Sequence, residues 1–475
     1  MIKFGKRVWN RGGKVVLILL LLTVVVITSS QLAQPEPAVS LSGLKPLSLA
    51  GYHRLLVFAP HSDDETLGTG GLILAARRAG LQVKVVILTN GDGFLFATIR
   101  DFKKVYPRPA DFIKLGEMRQ QESLAALGLL GVKPAQVDFL SYPDRGTPEL
   151  WNAYWSPQKP YRSPFIENIR SPYPITYDPR SVYAGADLLA DISSILKSYQ
   201  PDLVVYPHPD DVHPDHWGLN VFVRLALRLL EHSDPAFHLQ ELTYLVHRPD
   251  YPDLKGLRPQ AGLTPPIALY SLSTDWYRLD MPAGDTTLKG EAVLKYRSQL
   301  TLLRSLMESF IRSNELFAAV QDASLPALAQ GDPRKPSTWL DVDEQAVRPV
   351  QLDPTGDFIT RTAFPSSDLV AVYAARDPAG NLLVCMEARE NAVPELVYSL
   401  RLKALNAGGI DTFQAQTGAR APGWQPAHRL GRFVCASVSL AQLGHPWAVY
   451  VGANVVGGGR TIDEVAWQMV TVQEP

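Results

Sequence analysis

From residue 51 onward, short apolar runs alternate with stretches of helical spacing. Residues 55–59, 83–88, 137–140 and 203–206 are apolar and rich in β-branched side chains, whereas 72–80, 117–130, 185–199 and 218–230 have the spacing or composition of helices. The alternation predicts an α/β domain with a Rossmann-like, mostly parallel sheet and flanking helices. From about residue 345 the pattern changes to short β-rich runs at 369–373, 382–386, 396–402, 433–438 and 447–451, punctuated by turns such as Asp377-Pro378-Ala379-Gly380-Asn381. Runs of this length and spacing predict a C-terminal all-β, antiparallel sandwich. The expected organisation is a signal peptide or signal anchor over 1–30, a linker over 31–50, the α/β domain over 51–323, a linker over 324–344 and the β domain over 345–475.

Each predicted strand of the first domain runs into a polar turn. After the first comes His61-Ser62-Asp63-Asp64-Glu65, and after the second Thr89-Asn90-Gly91-Asp92-Gly93. The third leads to Tyr142-Pro143-Asp144-Arg145-Gly146, and the fourth to a stretch from Pro207 that contains His208, Asp210, Asp211, His213, Asp215 and His216. Parallel sheets bind ligands beyond the carboxyl ends of their strands, so four loops carrying Asp or His converge on one rim. Carboxylates as close as Asp63, Asp64 and Glu65 repel one another unless a cation or a shared proton lies between them, and a metal ion suits a mixed His and Asp set. The other reading of those residues is an acidic helix N-terminus that complements the helix dipole. His213 and His216, three apart at the entry of a helix expected near Trp217, can aim at one point.

The N-terminal segment carries Lys3, Lys6, Arg7, Arg11 and Lys14 ahead of an apolar core over 15–27. This is the pattern of a secretory signal or a signal anchor, which places the remainder outside the cytoplasm, secreted or tethered to the membrane. The 475 residues carry a net charge of -1, which excludes a strongly electrostatic partner such as bulk nucleic acid. The two cysteines, Cys385 and Cys435, lie far from the acidic histidine motif; they form one disulfide or remain two buried thiols.

The motifs together resemble the PIG-L, or LmbE-like, family of zinc-dependent N-acetylglucosaminyl deacetylases. His61-Ser62-Asp63-Asp64-Glu65 is similar to the family's His-Pro-Asp-Asp-Glu motif, with Ser62 in place of Pro, and His213-Pro214-Asp215-His216 resembles its second metal motif. Thr89 to Gly93, Arg119-Gln120-Gln121-Glu122, Tyr142-Pro143-Asp144 and the Ser298-Gln299 pair follow in family order, and the resemblance covers about residues 52–310.

The resemblance implies metal ligands at His61, Asp64 and His216, a general base at Asp63, and at His213 a group that steadies the oxyanion or protonates the leaving amine. It places Asp144 and Arg145 against sugar hydroxyls. Two imidazoles and one carboxylate leave a position open, as in catalytic zinc sites. Asp215 is placed to orient a histidine, and Asp92 stands at the rim as a further substrate contact. Arg119 and Glu122 are expected to form an internal ion pair. Residues 151–182, rich in Pro, Tyr and Trp, form either a substrate lid or a packed flap. Trp424, Trp447 and Trp467 are core residues or a glycan-binding platform of the C-terminal domain.

The expected activity is zinc-dependent hydrolysis of an N-acyl, most simply N-acetyl, group from an amino sugar or a glycan containing it. Another divalent ion such as Fe2+ suits the same ligands. The alternative is an extracytoplasmic carbohydrate-binding protein whose metal site does not turn over.

Overall fold

The computed structural model describes residues 41–472 except 235, 271–274, 321, 329–331, 333, 337–339, 341–346, 356–364 and 419–425. The expected signal segment, the first half of the first linker, part of the second and Trp424 lie outside the described residues. Among the described residues no helix is long and apolar enough to cross a membrane.

The first sheet contains β1 (Lys45–Pro46), β2 (Arg54–Ala59), β3 (Gln82–Thr89), β4 (Val137–Tyr142), β5 (Leu203–Pro207), β6 (Gln240–Tyr244), β7 (Trp276–Asp280) and β8 (Asn314–Ala319), in the order β1-β7-β8-β6-β5-β2-β3-β4. Strands β4-β3-β2-β5-β6 are mutually parallel, and β8 runs antiparallel to both β6 and β7. Both faces of the parallel strands are covered, which is why they read as unbroken apolar runs. Leu55, Val57 and Ala59 pack on one face with the helix that follows β2, while Leu56 and Phe58 pack on the other with the helices flanking β5. Leu44 joins the first core and β1 pairs with β7, so the end of the expected linker belongs to the sheet.

The helices of this part, besides a single turn over Ile267–Tyr270, are α1 (Asp64–Arg78), α2 (Leu95–Phe102), α3 (Pro109–Leu129), α4 (Thr147–Asn152), α5 (Gly185–Tyr199), α6 (Pro214–Ser233), α7 (Ala283–Val293) and α8 (Arg297–Glu308). Helix α1 starts inside the acidic motif, eight residues before the start the pattern predicts. Residues 64–73 are all buried, so this end of the helix has no polar face to produce a stripe. Its glycines serve close approach: a Cβ on Gly68 would lie 2.2 Å from the Tyr244 ring of β6.

Beyond β8 the chain forms β9 (Ala323–Ser324), β10 (Gln351–Leu352), β11 (Leu369–Arg376), β12 (Asn381–Ala388), β13 (Val397–Asn406), β14 (Gly409–Gln416), β15 (His428–Leu430), β16 (Phe433–Ser439), β17 (Ala448–Gly457) and β18 (Arg460–Thr471). They make two five-stranded sheets, β10-β11-β12-β16-β15 and β14-β13-β17-β18-β9, antiparallel except for β18 with β9. One apolar core joins β11, β12 and β16 to β13, β17 and β18, which is the expected sandwich. Cys385 and Cys435 sit opposite each other on β12 and β16 and are disulfide-bonded.

The outer face of the second sheet is also covered. Tyr450, Ala466, Trp467 and Met469 share a core with Trp151 of α4 and Phe222 of α6. The Trp151 ring lies 5.1 Å from Tyr450, 5.3 Å from Phe222 and 5.9 Å from Trp467, each edge to face. Trp467 is therefore a buried interface residue, unavailable as a glycan platform. Trp447 is half-buried and stacks on His232 of α6.

Candidate metal centre and active site

The strand order β6-β5-β2-β3-β4 reverses between β2 and β5, because the chain steps outward from β2 to β4 and then crosses back to β5. Loops leaving β2 and β5 part at this switch point and open a crevice. His61, Asp63 and Asp64 follow β2, and Asp211, His213, Asp215 and His216 follow β5. Asp144 arrives from β4.

Asp64 is fully buried, and its Oδ2 lies 3.0 Å from both His61 Nδ1 and His216 Nε2. Donors held 2.0–2.1 Å from a tetrahedral zinc are about 3.3 Å apart, which matches each of these two contacts. Asp64 Oδ1 and His216 Nε2 are buried and lack a hydrogen bond of acceptable geometry. Buried orphaned atoms of this kind are costly unless something absent from the protein satisfies them, and a cation satisfies a lone pair on each. The residues present therefore fit a divalent metal.

The surrounding carboxylates fix the tautomers that binding requires. Asp211 Oδ2 lies 3.0 Å from His216 Nδ1, which leaves Nε2 facing Asp64. Asp215 Oδ2 lies 3.2 Å from His61 Nε2, which leaves Nδ1 facing Asp64, and Asp144 Oδ1 lies 3.5 Å from the same Nε2. Asp215 also accepts hydrogen bonds from the backbone N–H groups of Arg145 and Thr147, tying the β4 loop to the β5 loop. The histidine that Asp215 meets is His61, across the crevice. Asp211, which sequence reasoning did not single out, orients His216.

Electrostatics follow the same layout. Burial opposes a charge on His216, yet Asp211 and Asp64 outweigh it and raise the imidazole to about 9. His61 is raised too, burial again being outweighed by Asp144, Asp215 and Asp64. For Asp64, burial is overcome by His216 and His61, and its carboxyl is held well below the ordinary range. The pocket favours positive charge, which a cation would supply.

Asp63 is 7% exposed, with Oδ1 3.5 Å from Arg119 Nη2. Burial pushes its carboxyl up to about 8, Asp64 adds to the rise, and Arg119 and His61 oppose it. Arg119 also donates to the carbonyls of Gly91 and Ser62. Gly91 has φ +62°, and a Cβ there would fall 1.9 Å from the Arg119 guanidinium, so the Thr-Asn-Gly-Asp-Gly turn requires glycine on both counts. The expected Arg119–Glu122 ion pair does not form. Arg119 faces Asp63, while Glu122 accepts from the Ser298 N–H at 2.9 Å and hydroxyl at 2.6 Å, which links α3 to α8.

His213 caps α6, its Nδ1 accepting from the Asp215 N–H at 3.2 Å. Nε2 therefore carries the proton of the neutral ring. Burial, with His61 and His216 nearby, holds this imidazole well below its ordinary value, so it is neutral and still a donor. The ring stands edge-on to His61, with centroids 4.6 Å apart.

Of the expected substrate contacts, Arg145 is exposed and Asp144 borders the cluster, its Oδ2 accepting from the Gly93 N–H. Asp92 is 1% exposed and accepts a 2.5 Å hydrogen bond from the Tyr173 hydroxyl. It lies beneath residues 151–182 rather than at the rim. That segment is tied to β4 by Tyr177 N–H to Phe139 O and to α3 by Gln120 Nε2 to Ile175 O.

His247 is a histidine that sequence reasoning missed. It stands three residues past β6, with its ring centroid 4.8 Å from that of His216 and 5.2 Å from that of His213. Its signal was available, since β6 is the next parallel strand and its carboxyl end faces the same rim. A separate cavity of about 220 Å³, lined by His208, Asp210, Asn220, Arg224 and Gln351 among others, contains none of the clustered histidines.

Residues 56–227 match the family model described as GlcNAc-PI de-N-acetylase, PIG-L. The chain carries a PIG-L domain. Among curated relatives, the 1D-myo-inositol 2-acetamido-2-deoxy-alpha-D-glucopyranoside deacetylase of Mycobacterium sp. (strain KMS) is 31% identical over 189 residues, 39% of this chain and 53% of that protein. The match thus spans about half the length of the relative. Among solved structures, the N,N'-diacetylchitobiose deacetylase of Pyrococcus horikoshii is 18% identical, covering 67% of this chain and 93% of its own at a TM-score of 0.36. The 4-carboxy-2-hydroxymuconate hydratase of Pseudomonas putida KT2440 is 17% identical, covering 58% and 100%, also at 0.36. The PIG-L match takes in every clustered residue except His247, which lies beyond it.

Proposed function

We propose that this PIG-L domain hydrolyses an N-acyl group, most simply acetyl, from an amino sugar, using a divalent cation, zinc in the first instance, held by His61, Asp64 and His216. The observation that carries this reading is the placement of Asp63 and His213 beside a donor set in which two buried atoms, Asp64 Oδ1 and His216 Nε2, lack a hydrogen bond. The match to a de-N-acetylase family supports the reaction class.

A bound cation would polarise the acyl carbonyl and lower the pKa of water to roughly 7. Asp63 adjoins a ligand without belonging to the donor set, so it takes the water's proton as the C–O bond forms. His213 donates its Nε2–H to the developing oxyanion, since its Nδ1 is occupied by the Asp215 N–H. The C–N bond then breaks, and the proton held by Asp63 passes to the departing amine, giving acetate and a free amino sugar. Arg145 and Asp144 at the crevice would meet the sugar hydroxyls.

Extracytoplasmic placement belongs to the same proposal. The basic and apolar N-terminal pattern and the Cys385–Cys435 disulfide support it, since such bonds persist in oxidising compartments. The test is to purify residues 41–475, quantify bound metal, and assay acetate release from a panel of N-acetylated amino sugars beside Asp63→Asn. Metal-dependent release that falls about 10²–10⁴-fold in the variant bears the proposal out. Full release by Asp63→Asn would remove Asp63 as the base.

A further inference from the structure

Among the described residues, the four most exposed large apolar side chains come from two loops. Val105 and Tyr106, after α2, are 66% and 70% exposed, and Leu254 and Leu257, after β6, are 48% and 56% exposed. Helix α8 joins the two loops. Arg100 Nη2 of α2 donates to the Ser298 carbonyl at 2.8 Å, and the Gly256 N–H donates to the Ser305 carbonyl at 3.1 Å and the Ser309 hydroxyl at 2.7 Å. Leu302, between these ties, is itself 41% exposed. Single exposed apolar residues need no partner, but a set tied together by one helix marks an interaction surface.

The charge of these segments selects the partner. Residues 103–108 and 294–305 carry Lys103, Lys104, Arg108, Lys295, Arg297 and Arg304 and no acidic residue, in a chain whose net charge is -1. All six are exposed, and only Lys104 and Arg304 form ion pairs, with Asp111 and Glu308. Tyrosine and aliphatic side chains among basic ones suit the headgroup layer of a bilayer that contains anionic lipid, where each Lys or Arg strengthens binding about fivefold. The described chain also begins at the edge of this face. Leu41 packs against Gly262, four residues past Arg258, and stands fourteen positions after the apolar stretch 15–27. A membrane segment there would bring the fold to a bilayer with the Leu254–Leu257 loop near the point of entry.

We propose that the face formed by residues 103–106, 254–257 and Leu302 docks on an anionic lipid bilayer, with its four most exposed apolar side chains in the headgroup layer and its basic residues against lipid phosphates. This docking is separate from the reaction and stands whether or not the crevice turns over a substrate. The loop of Leu254 and Leu257 follows β6, and α3 starts just after Tyr106 and runs back toward the start of β4. Both loops therefore belong to the carboxyl rim of the sheet, where His61, Asp64 and His216 gather. Tyr296, at the entry of α8, donates its hydroxyl to Glu65 of the acidic motif at 2.7 Å. Docking thus sets the mouth of the crevice at the lipid surface rather than toward open solvent.

The two cysteines of the chain are bonded to each other, so a cysteine placed by Tyr106→Cys or Leu257→Cys takes a polarity-sensitive fluorophore at one position. The full chain is mixed with phosphatidylcholine vesicles, with or without about one-third phosphatidylglycerol, and quenching by the neutral probe acrylamide is followed. Both labels are expected to shift to the blue and become shielded with the anionic vesicles alone, while a label from Val397→Cys, on the sandwich, stays unchanged. Lys103→Glu combined with Arg297→Glu should lower the lipid affinity read by the label at least about 10-fold. Labels at 106 and 257 that stay open to acrylamide overturn the proposal even if the chain floats with the vesicles, because the stretch 15–27 alone would then hold it. An equal shift with both vesicle types removes the role of charge, and a shift that appears without vesicles as protein concentration rises gives the face to a second copy; either result overturns the proposal.

Discussion

Asp211 Oδ2 lies 3.0 Å from His216 Nδ1, and both residues are buried, at 1% and 0% exposure. This contact decides which nitrogen of His216 is free for an ion. Replacing Asp211 with Asn keeps the volume but puts a weaker acceptor or a competing donor against Nδ1. Partners of this kind are worth about 10–100-fold in metal affinity. Asp211→Asn is expected to weaken zinc binding by that factor, read by chelator competition. Unchanged affinity would show that His216 keeps its tautomer without Asp211.

Glu122 and Ser298 join α3 to α8 through two hydrogen bonds to one carboxylate. Gln offers one acceptor oxygen where Glu offers two. Glu122→Gln should therefore cost about 1–3 kcal/mol, seen as a lower denaturant midpoint with an unchanged slope.

Trp467 is 1% exposed between the second β-sheet and the Trp151–Phe222 cluster. Trp467→Ala is expected to cost about 3–5 kcal/mol. Because one core spans both parts of the chain, near-ultraviolet and far-ultraviolet signals should shift together on heating. Two separate transitions in the wild type would instead show that the sandwich folds on its own.

Lys403 is 2% exposed, and its ammonium stands 5.0 Å from the centres of both the Trp151 and Trp155 rings. Burial, with Arg401 nearby, pushes its pKa down to about 8. The folded state then binds fewer protons than the unfolded state between pH 8 and pH 10.5, so this residue's contribution to stability rises across that window and is constant below it. The two rings favour the charged form and reduce the swing to about 1–2 kcal/mol. Lys403→Met should gain stability relative to wild type at pH 7, with the gap narrowing by pH 10 in thermal melts. A gap independent of pH would mean that the rings hold the ammonium at its ordinary value.

The chemistry of this chain was legible because it sits where strand ends announce it. His61, Asp63, Asp64, His213, Asp215 and His216 each follow an unbroken apolar run, and the sheet gathers them at its switch point. His247 escaped notice because β6 lies in a Pro-rich stretch, and its run begins with the polar Gln240 and Glu241. The start of α1 was hidden because a helix end buried on all sides has no periodicity to detect. Asp92 looked like a rim residue only because local sequence does not reveal that Tyr173, 81 positions later, lies over it. Likewise, the choice for Trp467 between core residue and platform is decided only by the covered second face of its sheet.

Helix α6 carries His216 in its first turn, and residues 215–227 are buried without a break between the parallel sheet and the sandwich. No local fluctuation can expose its amide groups without parting two cores. Its hydrogens should exchange with solvent among the last in the molecule, at a rate set by global opening. His216 is thereby anchored to an element expected to exchange slowest.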